Sequence, residues 1–310
     1  GVVRVPEHAN DIESAWRRTV IARDASRQRR CATFLYQPGM DEAHQRELTI
    51  IQGIVPGIEQ GEMSLVYQPK MALASARIVQ AEALARWNHP RLGPISPEEF
   101  VPMAESRGCI RAFTRWALTT ACRQYLNWRD AGVLDSDVVL AVNVSSQHAR
   151  DEDFLPMVRQ LIETLAMPAE LLELEFTENA LILGPDDTNP LVEQLKRLGV
   201  QVVIDDFGKG YSSLSYLTRL PVDSLKIDLS FLHGVSDNSR DRAMARAIIA
   251  LGASLGLRVV AEGVETAVRE AWAVVASTAI GSAKEHHGTV LLLVRHGRVL
   301  TPQPLLEGRL

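Results

Sequence analysis

Two acids stand side by side at the end of an apolar run. Val200 to Ile204 is β-branched and reads as a buried strand, and it stops at Asp205 and Asp206. A glycine-containing turn, 207–210, follows, and the next strand-like stretch, Val222 to Ile227, carries Lys226 and is followed by Asp228. Adjacent carboxylates repel unless a cation neutralises them. The plain alternative is a capping pair on a strand–helix loop, with Lys226 in a salt bridge to Asp206 or Asp228. A lysine on the neighbouring strand end, with Gly208 and Gly210 keeping the loop backbone open, favours a metal or phosphate site. Polar residues recur on other strands: Glu82 within the second, and at strand ends Asn143, Glu175 with Glu178 just beyond, and Glu262 with Glu265 beyond that. A buried acid is costly unless something satisfies it, so acids on this many strands are hard to explain as packing.

Carboxylate and amide oxygens suit a hard cation such as Mg²⁺ or Mn²⁺. No His or Cys occupies these positions, which argues against zinc on nitrogen or sulfur. The acids are numerous enough for two ions, the arrangement used for in-line attack of water on a phosphodiester. Lys226 would position or deprotonate that water, or stabilise charge as it builds. A Schiff-base role for Lys226 ranks last, because it needs an apolar pocket and these acids would raise the lysine pKa.

The elements that must position these groups alternate. Strand expectations fall at Ser64–Gln68, Ile78–Trp87, Val138–Val144, Leu171–Phe176, Val200–Ile204, Ser224–Ile227 and Leu257–Ala261. Helices are expected at Pro97–Ser106, Arg111–Asp130, Asp151–Leu165, Asn189–Leu198, Ser213–Leu220, Asp237–Leu255 and Thr266–Val275. This spacing implies right-handed crossovers and a parallel sheet, and with no dinucleotide-binding glycine fingerprint it predicts an α/β barrel closing on itself. Upstream, a helix is expected from Ala9 to Arg30, a strand over 31–38, and a connector helix from Asp41, as N-cap, to Gln60. The chain has 310 residues, 46% hydrophobic and 23% charged, which reads as globular and soluble. A net charge of −5 argues against a nucleic-acid polymer as partner but not against a small anion held by metals. Cys31, Cys109 and Cys122 have no paired spacing and read as reduced cysteines of a cytoplasmic protein. The first residues begin mid-pattern, so a longer chain, membrane-tethered through a missing N-terminal part, is left open, as is a homodimer.

The residues resemble a known family. YQPKM (Tyr67 to Met71), EALARW (Glu82 to Trp87) with His89 and Pro90, AVNVSSQ (Ala141 to Gln147), LELEFTEN (Leu172 to Asn179), IDDFGKGYSSLSYLTRLPVDSLKID (Ile204 to Asp228) and VVAEGVET (Val259 to Thr266) follow the order and spacing of EAL-type cyclic di-GMP phosphodiesterases. The resemblance implies a TIM-like (β/α)8 barrel with an antiparallel first strand, occupying residues 62–310. It implies hydrolysis of cyclic di-GMP to the linear dinucleotide pGpG with two Mg²⁺ or Mn²⁺ ions. Glu82, Asn143, Glu175 and Asp205 would hold one metal, and Asp205, Asp206 and Glu262 the second. Lys226 would sit by the attacking water, Glu178 would brace the loop after the paired acids, and Glu265 would act in the outer shell. Gln68, Leu84 and Arg86 would contact the nucleotide, Arg86 at phosphate, where its planar fork fits. Residues 1–40 resemble the end of a GGDEF (diguanylate cyclase) domain without its signature, and 41–61 a connector helix. An upstream sensor or GGDEF segment is expected in the full-length chain.

Two departures stand out. Lys209 replaces the usual Thr after the paired acids, and beyond about residue 270 the family pattern, including its Gln-Gly stretch, is lost. A shifted reading frame would produce such a break, and sequencing the DNA across codons 265 to 285 tests that. The last strand is therefore expected to be divergent or incomplete, with 288–300 substituting for it or the barrel left marginal. The alternative function is a catalytically impaired cyclic di-GMP receptor. The altered C-terminus favours it; the retained acids oppose it.

Overall fold

A computed structural model describes residues 1–72, 75, 77–181, 189–208, 217–227, 239–261 and 291–294. The first half of the expected helix at 213–220 and the whole of that at 266–275 lie outside the described residues.

The chain starts with α1 (Ile12–Gln28), whose N-cap Asp11 accepts the Ser14 N–H at 2.7 Å. The strand expected over 31–38 is reduced to one bridge, Val2 to Leu35. Next, α2 (Met40–Glu59) begins one residue earlier than predicted. Its cap is Gly39 at φ 90°, not Asp41. The Asp41 carboxylate is drawn instead to Arg18 Nε at 2.7 Å and the Tyr36 hydroxyl at 3.0 Å. A charge-assisted bond between helices outweighs a local cap. The other face of α2 buries Ile50, Ile54 and Gly57. A Cβ on Gly57 would lie 3.0 Å from Trp87 Nε1, so glycine permits this close approach to the barrel.

The barrel strands are β1 (Met63–Ala72), β2 (Ile78–His89), β4 (Val139–Val144), β5 (Leu172–Thr177), β6 (Gln201–Phe207), β7 (Ser224–Ile227), β8 (Arg258–Ala261) and β9 (Leu291–Val294). A short β3 (Gly93–Ile95) extends the β2 hairpin. The order β1-β2-β4-β5-β6-β7-β8-β9 returns to β1 and closes the ring. Every pairing in it is parallel except those of β1, which runs antiparallel to both neighbours. This is the TIM-like barrel with the antiparallel first strand. The eighth position is filled by β9, inside the stretch whose family pattern is lost, with Val260 opposite Leu292 and Met71 opposite Leu293.

Helices α3 (Pro97–Ser106), α4 (Ile110–Asp130), α5 (Ser146–Ala149), α6 (Phe154–Leu165), α7 (Glu178–Leu181), α8 (Pro190–Arg197) and α9 (Ser239–Leu255) follow the strands. The apolar core is the layer between strands and helices. Leu118 and Tyr125 of α4, Phe154 of α6 and Leu195 of α8 pack there on Leu174 and Phe176 of β5, all fully buried. Strand alternation sends the opposite set of side chains into the barrel, and that set carries the buried polar groups beside small apolar ones such as Ala141 and Val203. Tyr67 points out, edge-on to Trp128 at 4.6 Å, whereas its neighbours Gln68 and Lys70 pair in register with Glu82 and Gln80. Below them, buried Glu173 receives hydrogen bonds from Gln80 and, at 3.0 Å, from Arg258, which also binds Gln201.

Candidate active site

Glu82 (β2), Glu175 (β5) and Lys226 (β7) are 4% exposed or less, and they meet inside the barrel with Asp205 at the end of β6. The Lys226 ammonium lies 2.7 Å from Glu175 Oε2, 3.2 Å from Asp205 Oδ2 and 3.4 Å from Glu82 Oε1. Asn143 donates its amide N–H to Glu82 Oε1 at 2.8 Å. Five groups from five strands therefore converge. In a parallel barrel the strand C-termini face the same end, so register alone brings them together. The sequence reading left Lys226 with Asp206 or Asp228 as salt-bridge partners. Its partners here include Glu82, Glu175 and Asp205, and Asp228 lies outside the described residues.

A sixth group was not foreseen. Lys70, fully buried on β1, sits 2.6 Å from Glu175 Oε1 and 3.1 Å from Glu82 Oε2. The expected strand stopped at Gln68. Carrying it two residues further, on the alternation that turns Gln68 inward, would have found Lys70.

Burial and the nearby Glu82 push the Glu175 carboxyl up to about 8, against the pull of both lysines. Burial acts on Glu82 too, but Lys226 and Lys70 hold it well below the usual carboxylate range. The proton thus belongs to the pair, which also shares a hydrogen bond. Burial opposes the charge on Lys70, yet Glu175 and Glu82 raise its pKa above the ordinary lysine value.

Asp206 follows Asp205 at φ 56°, at a bulge in the β6–β7 register, and its N–H caps Asp205 Oδ1 at 2.7 Å. Aspartate tolerates this left-handed conformation better than most residues. Glu178 opens α7, is 3% exposed, and accepts the Gly208 N–H at 3.4 Å, tying it to the turn after the acids. Gln68 is buried opposite Glu82. Arg86 is exposed and donates to its neighbour's carbonyl, Ala85 O, at 2.8 Å. Leu84 lines an apolar cleft beside Asn143, with Val101, Phe113 and Val144. Glu262 and Glu265 lie outside the described residues.

Among the described residues, no three Asp, Glu, His or Cys groups close on one point as metal ligands do. The three acids converge on an ammonium at hydrogen-bonding range, wider than the about 2.0–2.1 Å of Mg–O bonds. The donor set, all hard oxygen, fits Mg²⁺ or Mn²⁺ in kind.

Fold and site together define an α/β barrel with buried charged groups in its interior. A family model for the EAL domain matches residues 52–277, and the chain belongs to the EAL domain family. It is 42% identical over 221 residues to the cyclic di-GMP phosphodiesterase NbdA of Pseudomonas aeruginosa, covering 71% of this chain and 28% of that protein. To the cyclic di-GMP phosphodiesterase PA2567 of the same organism it is 37% identical over 269 residues, covering 86% of this chain and 45% of the relative. The chain thus spans less than half the length of these curated relatives. Among solved structures, the phosphodiesterase PaMucR in complex with c-di-GMP superposes with a TM-score of 0.75 at 35% identity, covering 83% of this chain and all of that one. Among the described residues, no helix is long and apolar enough to cross a membrane.

Proposed function

We propose that this chain hydrolyses one phosphodiester of cyclic di-GMP, giving the linear dinucleotide pGpG, with two Mg²⁺ or Mn²⁺ ions. The observation that carries the reading is the convergence of Glu82, Glu175, Asp205 and Lys226 from four strands. The names of the relatives point the same way. Glu82, Asn143, Glu175 and Asp205 would hold one ion, and Asp205, Asp206 and Glu262 the other. Bound ions supply charge neutralisation and a more acidic water. Lys226 would orient the attacking water by donating a hydrogen bond to its oxygen. Arg86, exposed at the rim, pairs with a non-bridging phosphate oxygen. Water oxygen bonds to phosphorus, the bond to the 3′ oxygen breaks, and that oxygen takes up a proton. Glu178 holds the turn at Gly208 that carries the paired acids, and Glu265 supports the site from further out. Gln68 and Leu84 line the approach for the nucleotide.

Residues 1–40 are read as the end of a GGDEF-type domain, 41–61 as its connector and 62–310 as the barrel, in a cytoplasmic protein with an upstream sensor or GGDEF segment. Exposed Ile12 and Trp16 on α1 are the kind of surface a larger domain would cover. A second reading, a cyclic di-GMP receptor without turnover, is favoured by the loss of family pattern after residue 270. Chromatography of cyclic di-GMP incubated with the protein in Mg²⁺ or Mn²⁺, beside calorimetric binding in EDTA, decides between them. Appearance of pGpG supports hydrolysis. Binding without product in both metals replaces it with the receptor.

A further inference from the structure

The carboxylate oxygens of the cluster are divided between two sides. Lys70 takes Glu175 Oε1 and Glu82 Oε2, at 2.6 and 3.1 Å. The other oxygens, Glu175 Oε2 and Glu82 Oε1, face Lys226 and Asn143. Asp205 follows the same rule: Oδ1 accepts the Asp206 N–H at 2.7 Å and Oδ2 faces Lys226. Each acid therefore offers a single oxygen to the side where the strands end. Lys70 is fully buried and makes two of these three assignments. Its β1 backbone is paired on both sides, by β2 and β9, so the ammonium has little freedom to withdraw.

We propose that Lys70 is a positioning residue that sets which divalent cation the site prefers, by tying up the rear oxygens of Glu82 and Glu175 so that each can act only as a one-oxygen ligand. The inference rests on the reading of this cluster as a divalent-cation site. Mg²⁺ demands near-octahedral geometry from few protein oxygens, whereas Ca²⁺ takes six to eight ligands and often grips a carboxylate by both. A cluster held to one oxygen per acid disfavours Ca²⁺. Lys70 also contributes a like charge to any ion bound, which weakens all divalent ions alike. The two effects separate, because charge shifts every affinity together while orientation shifts the ratio between ions.

The test is calorimetric titration of the full chain with MgCl₂, MnCl₂ and CaCl₂, for wild type, Lys70→Met and Lys70→Gln. With Met, all three ions are expected to bind more tightly, and the Ca²⁺ to Mg²⁺ affinity ratio is expected to rise tenfold or more. Gln, which keeps a donor without the charge, should restore at least part of the discrimination. A ratio within threefold of wild type in Lys70→Met, with all ions gaining equally, overturns the proposal and leaves Lys70 a counter-ion. Should the Met variant fail to fold, infrared difference spectra of wild type with Ca²⁺ and Mg²⁺ decide. Carboxylate stretch splittings typical of one-oxygen ligation with both ions support the proposal, and two-oxygen splittings with Ca²⁺ overturn it. Wild type that binds none of the ions would sink the metal-site reading itself, a distinct outcome from binding with an unchanged ratio.

Discussion

Replacing Lys226 by Met tests whether one ammonium holds the cluster together. The described cluster sets three carboxylates, Glu82, Glu175 and Asp205, against two ammonium groups, Lys70 and Lys226. Lys226 alone contacts all three acids, and its side chain is 2% exposed. Removing one partner of a buried ion pair costs about 3–5 kcal/mol, because the remaining charges are stranded. The proton on the Glu82–Glu175 pair moderates this. With Glu175 pushed up to about 8, the pair keeps a proton at neutral pH and the loss falls near the lower end, about 3 kcal/mol. The two members of the pair act on opposite limbs of the pH profile. Glu175 is raised above the ordinary 4.5, so its contribution is complete below 4.5 and is lost as pH rises through about 8, whereas Glu82 is held below 4.5 and its contribution is present above 4.5 and lost as pH falls. At about 2–4 °C per kcal/mol for a domain of this size, Lys226→Met should melt roughly 6–12 °C lower in EDTA at pH 7. Mg²⁺ or Mn²⁺ at a hundred times its Kd should return about 2.7 kcal/mol by mass action. The assay is differential scanning calorimetry with and without metal, beside pGpG formation, which should fall about 10²–10⁴-fold. A variant melting within 2 °C of wild type in EDTA would refute the convergence of these acids on Lys226.

Three further outcomes are expected. Phe154 is fully buried, edge-on to His148 at 5.2 Å and Phe176 at 6.1 Å, so Phe154→Ala should cost about 3–5 kcal/mol in urea unfolding; a loss under 1 kcal/mol would refute this packing. His148 is buried with its Nδ1 unpartnered among the described residues, and burial lowers its pKa from 6.5, so it stabilises the fold above 6.5 and that contribution is lost as pH falls below it. His148→Leu should flatten the fall in melting temperature between pH 6.5 and pH 5; an unaltered slope assigns that limb elsewhere. Leu292→Pro removes a backbone donor from β9, which pairs with β8 and β1, and should cost about 1–3 kcal/mol in thermal melts; no change would mean that 291–294 does not close the ring.

The barrel was legible because its signals are local. The apolar run Val200–Ile204 ends in two acids and Val139–Val144 carries Asn143 near its end, and Ser224–Ile227 and Pro97–Ser106 have the predicted bounds. What eluded the sequence depends on pairing between distant segments. Asp41 has the residue type and position of a cap, yet Arg18, far back in the chain, outcompetes the local N–H groups for it. Residues 288–300 are one of two readings for the last strand, and the pairing of 291–294 with β8 and β1 decides for it.

Lys70 is the sharpest case. Charge on a strand ordinarily marks a solvent face. On β1 both faces are covered, one by Trp128 of α4 and the other by the barrel interior, so the charge must find partners inside. Those partners, Glu82 and Glu175, lie on strands whose register with β1 no local pattern specifies. The acids at the strand ends announce that a cation is needed. That part of the positive charge is built into the first strand follows only once the ring is closed.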